Sequence, residues 1–100
     1  MLFEIEYTYT AAQHIRIYRK HEQKIILDAV DDQLIYEPTS ETRNRKHLGE
    51  NELATWELRI GKYRVFYDVV LLESSRIVRI KAIGHKEHNR LFIGGKEIEL

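Results

Sequence analysis

Cysteine is absent from this chain. That excludes disulfide bonds and thiolate metal sites, and it fits a protein of the reducing cytoplasm. No apolar run approaches the ~20 residues that a membrane-spanning helix requires. The chain opens directly on the alternating segment Phe3-Glu4-Ile5-Glu6-Tyr7, so no signal peptide is expected. Repeats and low-complexity segments are missing. The five glycines form no phosphate-cradling loop, because Gly94-Gly95 lacks the Lys-Ser/Thr pair that would follow. His85-x-x-His88 has a spacing found among metal ligands, but no cysteine or well-placed carboxylate completes a set. No metal and no cofactor are expected.

What is present suffices for one domain with a single two-layer core over residues 1–100, since 43% of the chain is apolar. The formal net charge is zero but unevenly spread. Residues 1–40 hold seven acidic and four basic groups, whereas residues 59–90 hold eight basic and three acidic. Positive potential therefore gathers on the sheet-forming part, either as solvated strand faces or as an anion site.

The stretch Trp56–Tyr67 sets the register of the whole. Two β-rich runs flank Gly61-Lys62, and glycine at the first central position suits a two-residue type II′ hairpin. With that loop, Ile60 faces Tyr63, Arg59 faces Arg64, Leu58 faces Val65, Glu57 faces Phe66 and Trp56 faces Tyr67. Trp56, Leu58, Ile60, Tyr63, Val65 and Tyr67 then share an apolar face, and Glu57, Arg59, Arg64, Phe66 and Asp68 share the other. Like charges directly opposed repel. Arg59 and Arg64 either fan into solvent or await an anion.

Elsewhere, Leu2–Thr8 alternates as a strand. Thr8 or Thr10 caps a helix in which Ala11, Ile15 and Tyr18 share a face. A second helix carries Ile26, Val30 and Leu34 on one stripe and is stopped by Pro38, the only proline. Residues 39–54 form a polar connection rich in Arg43, Arg45, Lys46 and His47. It holds a short strand or turn, or is a loop that meets a ligand. Arg76–His85 is a further strand, with Val78, Ile80 and Ala82 on one face and Arg79, Lys81 and His85 on the other, breaking near Gly84. Gly94-Gly95 is a turn before a short last strand at 96–100. Helices are expected near 9–19 and 22–36, and strands near 2–8, 55–60, 63–70 and 76–84. The expected core is Ile5, Ile15, Ile26, Val30, Leu34, Trp56, Leu58, Val65, Tyr67, Val78 and Ile80. The order β-α-α-β-β-β plus a tail is an α+β domain with a helical hairpin on one face of a largely antiparallel sheet.

The polar face supplies parts for chemistry on phosphate. Arginine donates two parallel hydrogen bonds to it, histidine exchanges protons near neutrality, and an exposed aromatic stacks a base. Arg59, Arg64, Arg79, Lys81 and His85 are placed there, with Lys86, His88 and Phe92 added from the tail. Phe66 is either a stacking platform or the edge of a satellite apolar patch. Such a set fits a metal-independent ribonuclease, and it equally fits a surface that binds phosphate without cleaving.

Three segments, E-P-T-S-E-T-R-N-R-K-H-L (37–48), W-E-L-R-I-G-K-Y-R-V-F-Y-D-V (56–69) and A-I-G-H-K-E-H-N-R-L-F-I-G-G (82–95), resemble the RelE/ParE superfamily of toxins from type II toxin–antitoxin modules. The resemblance extends over nearly the full chain. It implies a helical hairpin against a twisted sheet and a cognate antitoxin partner. It further implies one of two activities: ribosome-dependent mRNA cleavage in the cytoplasm, or inhibition of DNA gyrase. A non-catalytic binding module derived from a toxin is the third possibility. For the RNA-cutting reading it implies Arg59, Arg64, His85, Lys86 and His88 as catalytic groups. Lys81, Arg79, Phe66, Phe92, Arg45 and Lys46 would contact RNA. The chain departs from that pattern at Glu57, where some ribonucleases of the family carry lysine, and at Phe92, which has no hydroxyl. Its neutral charge is a third departure. These departures shift weight toward a gyrase-type target or a toxin of reduced activity, but the two sheet arginines and the tail histidines keep RNA cleavage the favoured expectation, with gyrase inhibition the alternative.

Overall fold

The computed structural model describes residues 2–100. Alternating β-branched and aromatic residues build seven strands, and two amphipathic stretches between the first two strands build the helices. In order these are β1 (Glu4–Tyr7), α1 (Tyr9–Ile15), α2 (Lys20–Leu34), β2 (Arg45–His47), β3 (Trp56–Ile60), β4 (Tyr63–Leu71), β5 (Arg76–Glu87), β6 (Arg90–Ile93) and β7 (Lys96–Ile98). The strands lie side by side as β2-β3-β4-β5-β6-β7, all antiparallel. β1 joins β5 in parallel on the side that β6 also uses. The result is an α+β fold with a helical hairpin on one face of a largely antiparallel sheet, as the pattern of elements implies.

Local chemistry explains the boundaries. The Thr8 hydroxyl accepts the N–H of Ala11 and caps α1. That helix stops at Ile15, four residues short of the expected end, because Ile17 and Tyr18 donate to the carbonyls of His14 and Ile15 in a tighter turn. α2 begins at Lys20, where Glu22 accepts the Arg19 N–H across the first turn. The β3–β4 register is the expected one from Ile60↔Tyr63 to Trp56↔Tyr67. Gly61 has φ 56° while Lys62 stays in the ordinary region, as a type II′ turn demands.

The chain after Gly84 departs from expectation. β5 does not break there but runs on to Glu87 and turns back as β6, which was not expected, while the Gly94-Gly95 turn and the short last strand lie where they were expected. His88 and Asn89 both have positive φ, 52° and 64°, which is the geometry of a type I′ turn. Histidine and asparagine are among the few non-glycine residues that tolerate it. Gly84 is needed for a different reason. A Cβ there would strike the Phe92 carbonyl oxygen and come within 2.8 Å of the Ile93 side chain.

Two apolar clusters occupy the two faces. The larger lies under the helices and contains Ala11, Ile15, Tyr18, Ile26, Val30, Leu34, Trp56, Leu58, Val65, Tyr67, Val78 and Ile80. Ile5 is only partly buried against it. The second, on the far face, is formed by Phe66, Ala82, Leu91 and Ile93, with Leu48, Leu53, Ala54 and Ile98 laid over them. The loop that carries Leu48 and Leu53 is thus a cover, held by Asn51, whose side chain bonds Leu53, Ala54 and Gly49.

The parity of β5 changes midway. Phe66 pairs with Ala82, but Tyr67 pairs with Ile80, leaving Lys81 as an extra residue in a bulge. Val78 and Ile80 face the helices, whereas Ala82 faces away and Ile83 takes its place in the larger core. Strict alternation put Ala82 with Ile80 and His85 with Arg79, and the bulge reverses both. Just beyond it, the Ile83 N–H donates to His14 Nδ1 at 3.2 Å, tying α1 to the bulged strand.

Two expectations follow. Gly84→Ala forces β6 away from β5 and should lower unfolding free energy by about 1–3 kcal/mol, the usual cost of overpacking, measured by urea denaturation. His14 accepts a proton donor while neutral, and burial holds its pKa below the ordinary 6.5. Its contribution to stability is therefore present above that ordinary value and fades as pH falls toward the depressed one. The denaturation midpoint should rise from about pH 5 to about pH 7, and His14→Gln should flatten that rise.

Candidate functional site

The sheet face away from the helices gathers charge because every second residue of β2, β3 and β4 points to it. Lys46 on β2 is paired with Glu57 on β3, and Arg59 on β3 with Arg64 on β4. Past the bulge, Gly84 stands opposite Arg64, and Lys86 is the next residue of β5 on that face. Gly84 carries no side chain, so nothing from β5 covers the guanidinium opposite.

At the centre sits Glu57, only 5% exposed. Its Oε2 receives Arg59 Nε at 2.7 Å, while the Arg59 side chain remains about half exposed at 46%. Arg64 is held differently. Its Nη1 donates to the carbonyls of Gly61 (2.7 Å) and Tyr63 (2.9 Å), fixing the guanidinium over its own hairpin turn. Its Nε is buried and has no hydrogen-bond partner. Burial pushes the Arg64 pKa down, Glu57 offsets that, and the like charge of Arg59 adds to it. A buried donor without a partner is costly. Here it belongs to a guanidinium whose cross-strand neighbour is a second arginine, Arg59.

Other expected cations are committed elsewhere. Arg79 Nε meets Glu6 Oε1 at 2.6 Å and Lys81 Nζ lies 4.0 Å from Asp68. Arg45 is interior: Nη1 donates to the Gln33 carbonyl (2.8 Å) and Gln33 Oε1 (3.1 Å), and Nε to the Ser40 carbonyl (3.0 Å). Its guanidinium ties the end of α2 to β2 and is not offered to RNA. Phe66 is 0% exposed inside the second cluster, so no base stacks on it. Lys46 and Lys86 have no ion pair among the described residues. Lys86 lines a groove of about 430 Å³ together with Glu57, Asn89 and Arg90.

His85 is absent from this face. The bulge turns it toward the helices, where its Nδ1 is 2.7 Å from the Tyr18 hydroxyl and its ring stacks on Phe92 (5.5 Å, 17°). Tyr18 meets Tyr63 edge-on at 5.7 Å. The Tyr63 hydroxyl donates to Glu22 Oε2 at 2.5 Å. Burial raises both phenols to about 12, with Glu22 adding to each. Phe92 is therefore a wall for His85. His88 sits exposed on the I′ turn, four residues beyond the level of Arg64, or roughly 13 Å along the strand. No hydrogen bond or ion pair joins it to the arginines among the described residues. The structure thus assembles Arg59, Arg64, Lys46 and Lys86 around Glu57, and leaves His85 and His88 outside that group.

A family model for the ParE toxin of type II toxin–antitoxin systems, parDE, matches residues 5–90. The chain belongs to this family. It is a toxin of a type II toxin–antitoxin module. The fold is shared with a solved structure of the toxin–antitoxin complex RelBE2 from Mycobacterium tuberculosis. That chain is 21% identical and superposes with a TM-score of 0.71 over 86% of this chain and 100% of its own length. No curated protein sequence matches. No helix among the described residues is long and apolar enough to cross a membrane.

Two features of this toxin were not read from its sequence. The first is the burial of Glu57 and its bond to Arg59, for which the only signal was that the two residues share one strand face at i, i+2. The Tyr18–His85 contact joins residues 67 positions apart and left no local signal. The Tyr63–Glu22 bond gives a test. Glu22 is held below its ordinary 4.5, first by Tyr63 and then by the Arg19 N–H. Its contribution to stability is present above that ordinary value and lost as pH falls through the depressed one. In Tyr63→Phe, the Glu22 carboxyl followed by NMR should titrate closer to 4.5, and the acid limb of unfolding should begin at higher pH.

Proposed function

We infer that the cationic sheet face binds the RNA backbone, and that the toxin acts as a metal-independent, ribosome-dependent mRNA endoribonuclease in the cytoplasm. The observation that carries this reading is Arg64: a guanidinium fixed by two backbone carbonyls, with a buried unpartnered Nε and with Arg59, Lys46 and Lys86 beside it. Hydrolysing or transesterifying a phosphodiester requires stabilising the charge that develops on its oxygens. Preorganised cations supply the largest share of such stabilisation. Lys86 is the ammonium placed to protonate the leaving oxygen, and His88 on the turn meets nucleotides further along the strand. The fold shared with a toxin from a complex titled RelBE2 accords with this reading.

Gyrase inhibition is the second reading. The family model is named for ParE, and the chain is electrically neutral. In either case a cognate antitoxin neutralises the toxin, with a segment that folds over the sheet cations or the tail on binding. Inducing the toxin while mapping mRNA ends and assaying supercoiling separates the two. New cleavages confined to translated regions support the ribonuclease, and intact transcripts with stalled supercoiling overturn it.

Arg59→Ala and Arg64→Ala should each lower cleavage by about 10²–10³-fold, as for other donors at a developing oxyanion. Arg64→Lys keeps the charge but loses the fork, so cleavage should fall while RNA retention on a gel persists. A fully toxic, folded Arg59→Ala/Arg64→Ala double variant would show that this face is not the active surface.

A further inference from the structure

The groove that holds Lys86 has the wrong sign for RNA. Its charged lining is two cations, Lys86 and Arg90, against three carboxylates, Glu57, Glu97 and Glu99. A phosphate entering it meets net negative charge. Two of those carboxylates come from β7 and the residue that follows it. Without them the balance reverses, and two cations face Glu57 alone. β7 also lies beyond residues 5–90, the stretch that the family model matches. Its hold on the sheet is slight. Three residues pair with β6 and, among the described residues, with no other strand. Ile98 is half-buried against the second cluster, while Lys96 and Glu97 are exposed. Glu97 Oε1 lies 3.7 Å from Arg90 Nη1, with both side chains open to solvent. An exposed pair of this kind adds little stability. On the other side, Ile98, Glu99 and Leu100 line a groove of about 440 Å³ together with Glu50 and Leu53. Residues 98–100 are thus a thin wall with open space on both sides. Short edge strands are among the least stable parts of a fold.

We propose that residues 96–100 are an autoinhibitory strap on the RNA groove, a role that rests on the ribonuclease reading above. Paired to β6, the strap holds Glu97 and Glu99 against Lys86 and Arg90, and the groove repels a phosphate backbone. Lifted from β6, it takes both carboxylates away and leaves a cationic groove that continues the face of Arg59 and Arg64. RNA and the strap therefore exclude one another. The apparent affinity for RNA is reduced by the fraction of molecules in which the strap is open. Ile98 sets that fraction, because it is the apolar anchor that must leave the second cluster. The strap works by charge and leaves the fold of the arginine hairpin untouched.

The test measures binding of a labelled single-stranded RNA to the full chain, and cleavage of a defined mRNA on programmed ribosomes. Glu97→Gln/Glu99→Gln keeps Ile98 and the β6 pairing, so it folds as the wild type does. It should tighten RNA binding by about 3–10-fold at low salt, the effect of two exposed charges, and lower KM for cleavage with kcat unchanged. The gain should shrink as salt rises and screening shortens. Glu4→Gln/Glu73→Gln makes the same change in net charge beside Leu71 and Leu72, outside the groove of Lys86, and should leave binding as it is. A reversible lock is available because the chain has no cysteine of its own. Leu91 and Ile98 are cross-strand partners, and oxidised Leu91→Cys/Ile98→Cys pins the strap. That form should bind RNA at least about ten-fold more weakly than the same protein reduced. Wild-type affinity in the Gln pair, an equal gain from Glu4→Gln/Glu73→Gln, or equal binding by the oxidised and reduced forms overturns the strap and leaves the ribonuclease reading standing. Intact transcripts with stalled supercoiling, in the wild type and the Gln pair alike, remove the ribonuclease reading and the proposal with it.

Discussion

One extra residue, Lys81, decides what each face of the sheet contains. Among the described residues β5 is the only strand paired with three others, and it must serve two apolar clusters on opposite sides. A strand with unbroken alternation cannot place Ile80 and Ile83 on the same face. The bulge makes that possible. It brings Ala82 under Phe66, puts Gly84 opposite Arg64, and sends His85 to Tyr18. Without it, Ile83 would turn away from the larger core and Lys86 would face the helices. The cations, the aromatic wall and the second cluster all depend on this count.

The sheet hairpin and the core were legible because they obey local rules. Gly61 announces a two-residue turn, and from it the pairing of Arg59 with Arg64 follows without further information. Ile26, Val30 and Leu34 repeat at helical spacing and lie buried as a stripe. Past Ile80 the same reasoning fails. A bulge in a strand of ordinary β-formers has no composition of its own, so Ala82 and His85 were assigned to the wrong side, while Lys86 falls on the expected face. The β5–β6 hairpin was obscured for a related reason, because His88-Asn89 adopts a turn usually written with glycine and β6 is short, whereas the Gly94-Gly95 turn and the last strand were legible. Arg45 and Phe66 show the third limit. A basic residue in a polar stretch and an aromatic on a polar face both look exposed until the segment covering them is placed.

The charge distribution shows a similar economy. Arg79, Lys81, Arg90 and Lys62 each meet a carboxylate at the surface. Exposed pairs of this kind contribute little to stability, but they remove competing positive charge from the rest of the sheet. Among the cations left without an ion pair by the described residues are Arg64, Lys46 and Lys86, on the face that carries Glu57. A neutral chain thus presents a strongly polarised patch, and the overall charge says little about how that patch meets an anion.

The parallel pairing of β1 with β5 has a consequence in time. Glu6 and its partner Arg79 are 73 residues apart, so the first strand made during synthesis waits for nearly the last before it has a neighbour. Long-range pairing of this kind is slow, since loop closure precedes any gain from contact. Until Ile77–Ile80 has emerged, the helical hairpin has no β1–β5 seam to rest on. A nascent chain stopped between Leu71 and Arg76 carries the helices and the arginine hairpin but no Gly84 or Lys86 beside them. The charged surface comes into being only once β5 has followed the helices and the arginine hairpin, so a product cut before β5 is an incomplete toxin.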